Sequence, residues 1–166
     1  MEAVRGVAGS SVTIVADGGV RQIGDIAKAL AVGAHAVMLG SLFAGFDESP
    51  GEKVVIEGKE FKTYRGMGSI AAMQKGSAER YGQTKDTGDT QLIPEGVEGL
   101  VRYKGDVMDY LTQIAGSLRS SFYYIGGRNR TEFVQKAKLI RITQASLTES
   151  HPHSIVISDA GANYTL

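Results

Sequence analysis

The chain has 166 residues, 42% of them hydrophobic and 22% charged, which suits one globular domain with its own core and leaves little room for two. Its 18 basic and 18 acidic residues cancel, so it carries no electrostatic footprint for nucleic acid or an anionic membrane. It has no cysteine, which excludes disulfides and thiol chemistry within the chain, and no signal-peptide pattern or apolar window near the roughly 18 residues of a membrane span; the expected compartment is the cytoplasm.

In chain order, residues 11–16 form a β-branched apolar run stopped by Asp17-Gly18-Gly19, and predict a buried strand. Ile23, Ile26, Ala27 and Leu30 then recur at helical spacing, with Gly33 as the stop. Residues 36–39 are a second apolar run, closed by Gly40-Ser41. Strand, helix and strand within about 30 residues make a βαβ unit, whose parallel strands are expected to be buried on both faces. Residues 53–64 alternate loosely around Glu57-Gly58 and predict a hairpin. Residues 69–91 are polar, small and aperiodic, the composition of a lid or binding loop. Residues 97–103 predict another strand, and Val107, Tyr110, Leu111, Ile114 and Leu118 mark the stripe of a long amphipathic helix. A shorter helix is expected at residues 131–138, a strand at 139–143, and an irregular tail from Glu149.

Glycine departs from this ordinary composition, with 22 positions against 3 for proline. That is about twice the usual ~7%. A flexible linker raises both residues, whereas here the glycines close apolar runs or cluster, as in Gly66-Met67-Gly68. In α/β folds ligands sit at the carboxyl ends of the strands, and backbone N–H groups without a neighbouring Cβ can close on phosphate oxygens. The turns Asp17-Gly18-Gly19 and Gly40-Ser41 are therefore read as a phosphate cradle with Asp17 accepting from ribose hydroxyls. The alternative reading makes them tight turns with Asp17 capping a helix.

Six motifs occur in one order: Ala16-Asp17-Gly18-Gly19-Val20, Val37-Met38-Leu39-Gly40-Ser41, Tyr64-Arg65-Gly66-Met67-Gly68-Ser69, Glu79-Arg80-Tyr81, Pro94-Glu95-Gly96-Val97-Glu98-Gly99 and Glu149-Ser150-His151-Pro152-His153. Together they resemble inosine monophosphate (IMP) dehydrogenase over nearly the whole chain. The resemblance implies an α/β fold: the last two strands of a (β/α)8 TIM barrel, a hairpin and flap insertion, and C-terminal helices, an incomplete barrel. One fragment of a catalytic domain is expected. Residues 1–50 would hold the last βαβ unit, 51–99 the hairpin and mobile flap, and 100–166 the helices, strand and tail.

By the same resemblance Asp17 contacts the IMP ribose, and Gly18, Gly19, Gly40, Ser41 and Tyr64 hold its phosphate. Gly66, Met67 and Gly68 lie along the purine, and Glu95 reads the base edge. In that family a cysteine attacks C2 of IMP, hydride leaves to NAD, and the flap then closes so that Arg80 and Tyr81 help water hydrolyse the thioimidate to XMP. Arginine is a poor free base, so charge stabilisation is the fallback for Arg80. Read from the residues alone, Arg80-Tyr81 is a solvated surface pair. Glu149, Ser150 and His151 resemble the segment whose backbone carbonyls complete a potassium site in a neighbouring subunit. A zinc reading of His151 and His153 lacks further ligands, and His35, in a helix-to-strand turn, reads as structural.

The implied cofactors are NAD and a potassium ion. The implied partners are IMP, the remaining N-terminal part of the barrel, and further copies in a homo-oligomer, a tetramer in the family, with neither nucleic acid nor membrane. The family's nucleophile precedes this segment and no cysteine exists here, so the chain reads as a fragment, a split-gene product or a degenerate relative, inactive alone. A GMP reductase-like piece, which would share the phosphate cradle, is disfavoured by the dehydrogenase-like Tyr64-Arg65-Gly66-Met67-Gly68 and by Arg80-Tyr81, for which a reductase has no water-activating use. A purine-nucleotide-binding or assembly module without catalysis is the non-enzyme alternative.

Overall fold

In the computed structural model, which describes residues 1–83 and 92–158, the chain divides into two units: Met1–Leu42 together with the residues from Met108 onward, and Phe43–Val107. The first begins with a short helix, α1 (Glu2–Gly6), followed by β1 (Val15–Asp17), α2 (Ile23–Ala31) and β2 (Ala36–Met38). β1 and β2 pair in parallel, Val15 opposite Ala36, Ala16 opposite Val37 and Asp17 opposite Met38, so the predicted βαβ unit is present.

The strands are shorter than their apolar runs, and they are not buried on both faces as expected. Ala16 and Val37 are half-buried, while Val15 and Met38 are 51% and 55% exposed. A parallel strand is buried twice only where layers cover both of its faces, and in this unit α2 is the helix packed on β2.

α2 starts in a capping box: Gln22 and Asp25 satisfy each other's backbone N–H groups. The Asp25 carboxylate accepts from the N–H of Arg21 at 3.1 Å and of Gln22 at 3.3 Å. At its other end the Arg130 guanidinium donates to the carbonyls of Gly33 (2.7 Å) and Ala34 (3.2 Å), supplying the positive charge that a helix C-terminus favours. His35 has the structural role expected of it. Its Nδ1 accepts the Ile14 N–H at 3.1 Å and its own N–H donates to the Ile14 carbonyl at 2.7 Å, fixing the approach to β1.

The amphipathic stripe forms α4 (Met108–Ile125), longer than the marked residues, and α5 (Arg130–Lys136) follows with Asn129 as its side-chain cap. Phe133 on α5 is fully buried and stacks on Phe122 of α4, ring centroids 4.1 Å apart. Burial of such a ring stabilises by about 1.5–3 kcal/mol. Ile23, Ile26, Ala34, Leu42 and Tyr110 are the other buried apolar residues of this unit among those described.

The strand expected at residues 139–143 does not form. Those residues lie outside any ladder, and Leu139, Ile140 and Ile142 are 56%, 81% and 54% exposed. Their apolar, β-branched composition fits a strand, but among the described residues none pairs with them. A helix not foreseen from the sequence, α6 (Gln144–Glu149), follows instead, with the Thr143 hydroxyl accepting the Ser146 N–H at 3.2 Å.

The second unit is built on an antiparallel sheet in the order β3 (Lys53–Ile56), β4 (Lys59–Arg65), β5 (Glu98–Arg102). The predicted hairpin turns at Glu57 and Gly58, both left-handed (φ 50° and 74°), the geometry that matches strand twist in a two-residue loop. A lysine lies inside this unit. Lys62 on β4 is 4% exposed, and its ammonium donates to the carbonyls of Phe46 (2.7 Å), Asp47 (3.3 Å) and Ser49 (2.5 Å). Three donors meet three acceptors, so the buried charge is fully hydrogen-bonded.

Within residues 69–91, the described part up to Gln83 is not the structureless stretch its composition suggests. Ser69 caps a short helix, α3 (Ile70–Ala72), which runs into a π-helical turn (Met73–Ser77) and a 3₁₀ turn (Ala78–Tyr81). Ser69, Met73 and Ala78 are 1%, 0% and 3% exposed. A segment wound partly as π and partly as 3₁₀ helix has no 3.6-residue period to read. Residues 84–91 of the expected flap lie outside the described residues. Among the described residues no helix is long and apolar enough to cross a membrane.

Candidate functional site

Because Asp17 stands opposite Met38, the parallel register brings the turns after both strands to the same edge of the pair. Gly18 and Gly19 are both left-handed, φ 87° and 74°, and a Cβ built on either meets nothing within 4 Å. Glycine is therefore required there by backbone conformation and not by lack of room, and the space beyond these amides is open. Gly40 and Ser41 are exposed at the same edge.

Asp17 is exposed, and its carboxylate takes no hydrogen bond from the described residues. The cap of α2 is made by Gln22 and Asp25, so the reading of Asp17 as a helix cap fails. Burial opposes ionisation of Asp25, but hydrogen bonds from Lys28 and from the N–H groups of Arg21 and Gln22 outweigh it and hold its carboxyl below the usual range.

The second unit assembles the other predicted residues. Tyr64 lies on β4 opposite Gly99 and is 37% exposed. The chain then turns through Gly66-Met67-Gly68: the Gly66 N–H donates to the Val97 carbonyl and the Ser69 N–H returns to the Gly66 carbonyl. Met67 is 53% exposed. Glu95 is held beside this turn, since the N–H groups of Glu95 and Gly96 both donate to the Gly68 carbonyl at 2.9 Å. A Cβ on Gly68 would come within 3.1 Å of the Glu95 and Gly96 backbone, and one on Gly96 within 3.0 Å of the Ser69 nitrogen. Two glycines facing each other allow this contact. Gly96 was not singled out from the sequence, although it stands inside a recognised motif.

Arg80 and Tyr81 sit on the 3₁₀ turn of this unit, Arg80 exposed and Tyr81 half-buried. The turn is anchored to the Met67 loop through Ser77, whose hydroxyl donates to the Met67 carbonyl at 2.6 Å. Glu149, Ser150 and His151 end α6 in the first unit. The carbonyls of Glu149 and Ser150 accept no hydrogen bond from the described residues, as expected of a helix's last turn, while a His153 ring nitrogen lies 2.9 Å from the His151 carbonyl. Among the described residues no three His, Cys, Asp or Glu side chains gather as a metal site.

The sequence model of the IMP dehydrogenase / GMP reductase domain matches residues 1–153. Inosine-5'-monophosphate dehydrogenase of Streptococcus pyogenes is 50% identical over 154 residues, covering 93% of this chain and 31% of the relative. The enzyme of the same name from Halalkalibacterium halodurans is 50% identical over 155 residues, with the same coverage, and that of Rhodopirellula baltica 48% over 165 residues, covering 99% of this chain and 30% of the relative. The chain thus spans about a third of the length of these relatives. Among solved structures, a GMP reductase variant from Trypanosoma brucei in complex with guanosine 5'-monophosphate superposes with a TM-score of 0.75 at 41% identity, over 87% of this chain and 28% of that one. The fold is an α/β partial barrel.

Proposed function

We propose, from the fact that this chain belongs to the IMP dehydrogenase / GMP reductase family, that it is the nucleotide-holding and flap-bearing segment of an IMP dehydrogenase, which oxidises IMP to XMP with NAD. The observation that supports this best is the register of β1 and β2, which aligns two glycine-bearing turns at one edge with Asp17 free beside them. The amides of Gly18, Gly19, Gly40 and Ser41 and the Tyr64 hydroxyl hold the phosphate. Asp17 accepts from the ribose hydroxyls, the Gly66-Met67-Gly68 backbone lies along the purine, and Glu95 accepts at the base edge. A chain of zero net charge gathers phosphate here by amides and a phenol, without a lysine cluster.

NAD, when bound, takes the hydride. The attacking thiol comes from outside this chain, which has no cysteine. Arg80 and Tyr81 orient and activate the hydrolytic water. The unclaimed carbonyls of Glu149 and Ser150, with that of His151, suit a weakly hydrated potassium ion shared with a neighbouring copy, in a cytoplasmic tetramer. The test is titration of IMP and of inosine into the chain by calorimetry, and assay of NADH with and without a cysteine-bearing N-terminal part. IMP binds and inosine does not; NADH forms only in the complemented mixture. Equal affinity for IMP and inosine, or NADH from the chain alone, refutes the reading. The GMP-bound neighbour favours a second reading as a GMP reductase segment, which predicts that the complemented mixture, given a reduced nicotinamide cofactor as hydride donor, converts GMP to IMP with release of ammonia and oxidation of that cofactor, and forms no NADH from IMP and NAD.

A further inference from the structure

The turn that carries Arg80 and Tyr81 is tied down beyond its end by a side chain that the family reading leaves without a role. The Gln83 carboxamide makes two reciprocal hydrogen bonds with one residue: its Nε2 donates to the Ile93 carbonyl at 3.0 Å, and the Ile93 N–H donates to its Oε1 at 2.9 Å. A side-chain amide here reproduces the two-bond exchange of an antiparallel bridge, and so fixes both the position and the plane of the group. The backbone of Gln83 belongs to the same turn, since its N–H donates to the Ala78 carbonyl at 3.1 Å, and Gly82 before it is the left-handed residue that ends the 3₁₀ segment.

Two residues beyond Ile93, Glu95 and Gly96 are bonded to Gly68. At the other end of the turn Ser77 is bonded to Met67. The residues form a closed circuit: Met67 to Ser77, the Arg80–Tyr81 turn, Gln83 to Ile93, and Glu95 back to Gly68. Ser77 and Gln83 are the two side chains that close it.

We propose that Gln83 is a positioning residue whose two-bond latch onto Ile93 holds the Arg80–Tyr81 turn in register with Glu95 and Gly68, so that water activation depends on it. The proposal rests on the reading of Arg80 and Tyr81 as the hydrolytic pair. The latch needs a donor and an acceptor on one planar group at the length of glutamine. An ionised glutamate still accepts from the Ile93 N–H but sets its second oxygen against the Ile93 carbonyl. Methionine fills the same length and makes neither bond.

Amide hydrogen exchange on the whole chain reads the latch directly, with the amides of β4 as a folding control. Gln83→Met is expected to raise exchange at Ile93 and at Gly82–Gln83 about tenfold, with β4 unchanged, because opening here is local. Gln83→Glu is expected to match Gln83→Met at pH 7. It regains the parent's protection, measured against the parent at the same pH, once the carboxyl protonates near its ordinary value of about 4.3. A residue that merely fills space shows no such pH profile. In the mixture complemented with the cysteine-bearing part, Gln83→Met keeps the NADH burst and lowers the steady state at least tenfold.

Parent-like protection in Gln83→Met overturns the latch, and a released latch with an unchanged steady state overturns the positioning role. Should Arg80→Ala suppress burst and steady state equally, the hydrolytic pair falls and the role of Gln83 in water activation falls with it. That outcome is told apart from failure of the latch because exchange is read separately.

Discussion

Replacing Gly68 with alanine puts a methyl group where the structure leaves no room. The added carbon lies 3.1 Å from the carbonyl carbon and Cβ of Glu95 and from the Gly96 nitrogen, several tenths of an ångström inside the ~3.5–4.0 Å optimum for carbon contacts. The neighbours are backbone atoms that cannot swing aside, because the N–H groups of Glu95 and Gly96 are both bonded to the Gly68 carbonyl. Overpacking of this kind costs about 1–3 kcal/mol. Alanine also restricts the unfolded chain, which returns ~0.4–1 kcal/mol, so the expected net loss lies between about 0 and 2.6 kcal/mol, roughly 1.3 kcal/mol at the middle of the range. For a chain of this size each kcal/mol lowers Tm by roughly 2–4 °C.

The assay is a thermal melt of Gly68→Ala beside Gly99→Ala, whose added Cβ on β5 meets nothing within 4 Å and should shift stability by less than ~0.5 kcal/mol. IMP affinity of the folded Gly68→Ala chain should fall as well, since the displaced segment carries Glu95. A Gly68→Ala chain that melts above both the parent and Gly99→Ala would refute the close-approach argument.

Gly19→Val should weaken IMP binding at least tenfold through the backbone, because a β-branched residue resists φ 74°; calorimetry showing equal affinity would remove Gly19 from the cradle. Lys62→Met should destabilise the Phe43–Val107 unit by roughly 2–4 kcal/mol, because three backbone carbonyls lose a buried donor, and an unchanged denaturant midpoint would contradict this. Asp25 is held below its usual range in the folded chain, so its contribution to α2 is present at neutral pH and lost as pH falls below about 4 through the lowered value. The amides of Arg21 and Gln22 should lose protection in that window, and Asp25→Asn should abolish the effect.

The parts legible in the sequence are those whose local pattern agrees with their packing. β1, α2 and β2 announce themselves by apolar runs ended at Gly18 and Gly40, the hairpin by Glu57-Gly58, and α4 by its stripe. Residues 139–143 failed for the converse reason. They are an apolar, β-branched run, but a strand exists only with a partner, which no local pattern records. α6 went unseen because its residues form no apolar stripe, and Ser69–Tyr81 because its turns mix helical periods. Lys62 gave no signal in the sequence, since nothing in its neighbours along the chain reveals the three carbonyls of Phe46, Asp47 and Ser49. Gly18 and Gly19, singled out in the sequence as places where a phosphate could approach the backbone, supply left-handed backbone with open space beside each Cβ position.

The two ends of the second unit lie side by side. Phe46 bridges to Gly105, the Asp47 N–H donates to the Gly105 carbonyl, and the Val107 N–H reaches the Glu48 carboxylate. Once folded, this insertion brings its own two ends side by side. The first unit needs that closeness, because Arg130 must find Gly33 and Ala34 across nearly a hundred residues. A flexible loop of that length would oppose the meeting with an entropy that grows as the logarithm of its length; pairing the insertion's own ends shortens the loop that the Arg130 contact has to close.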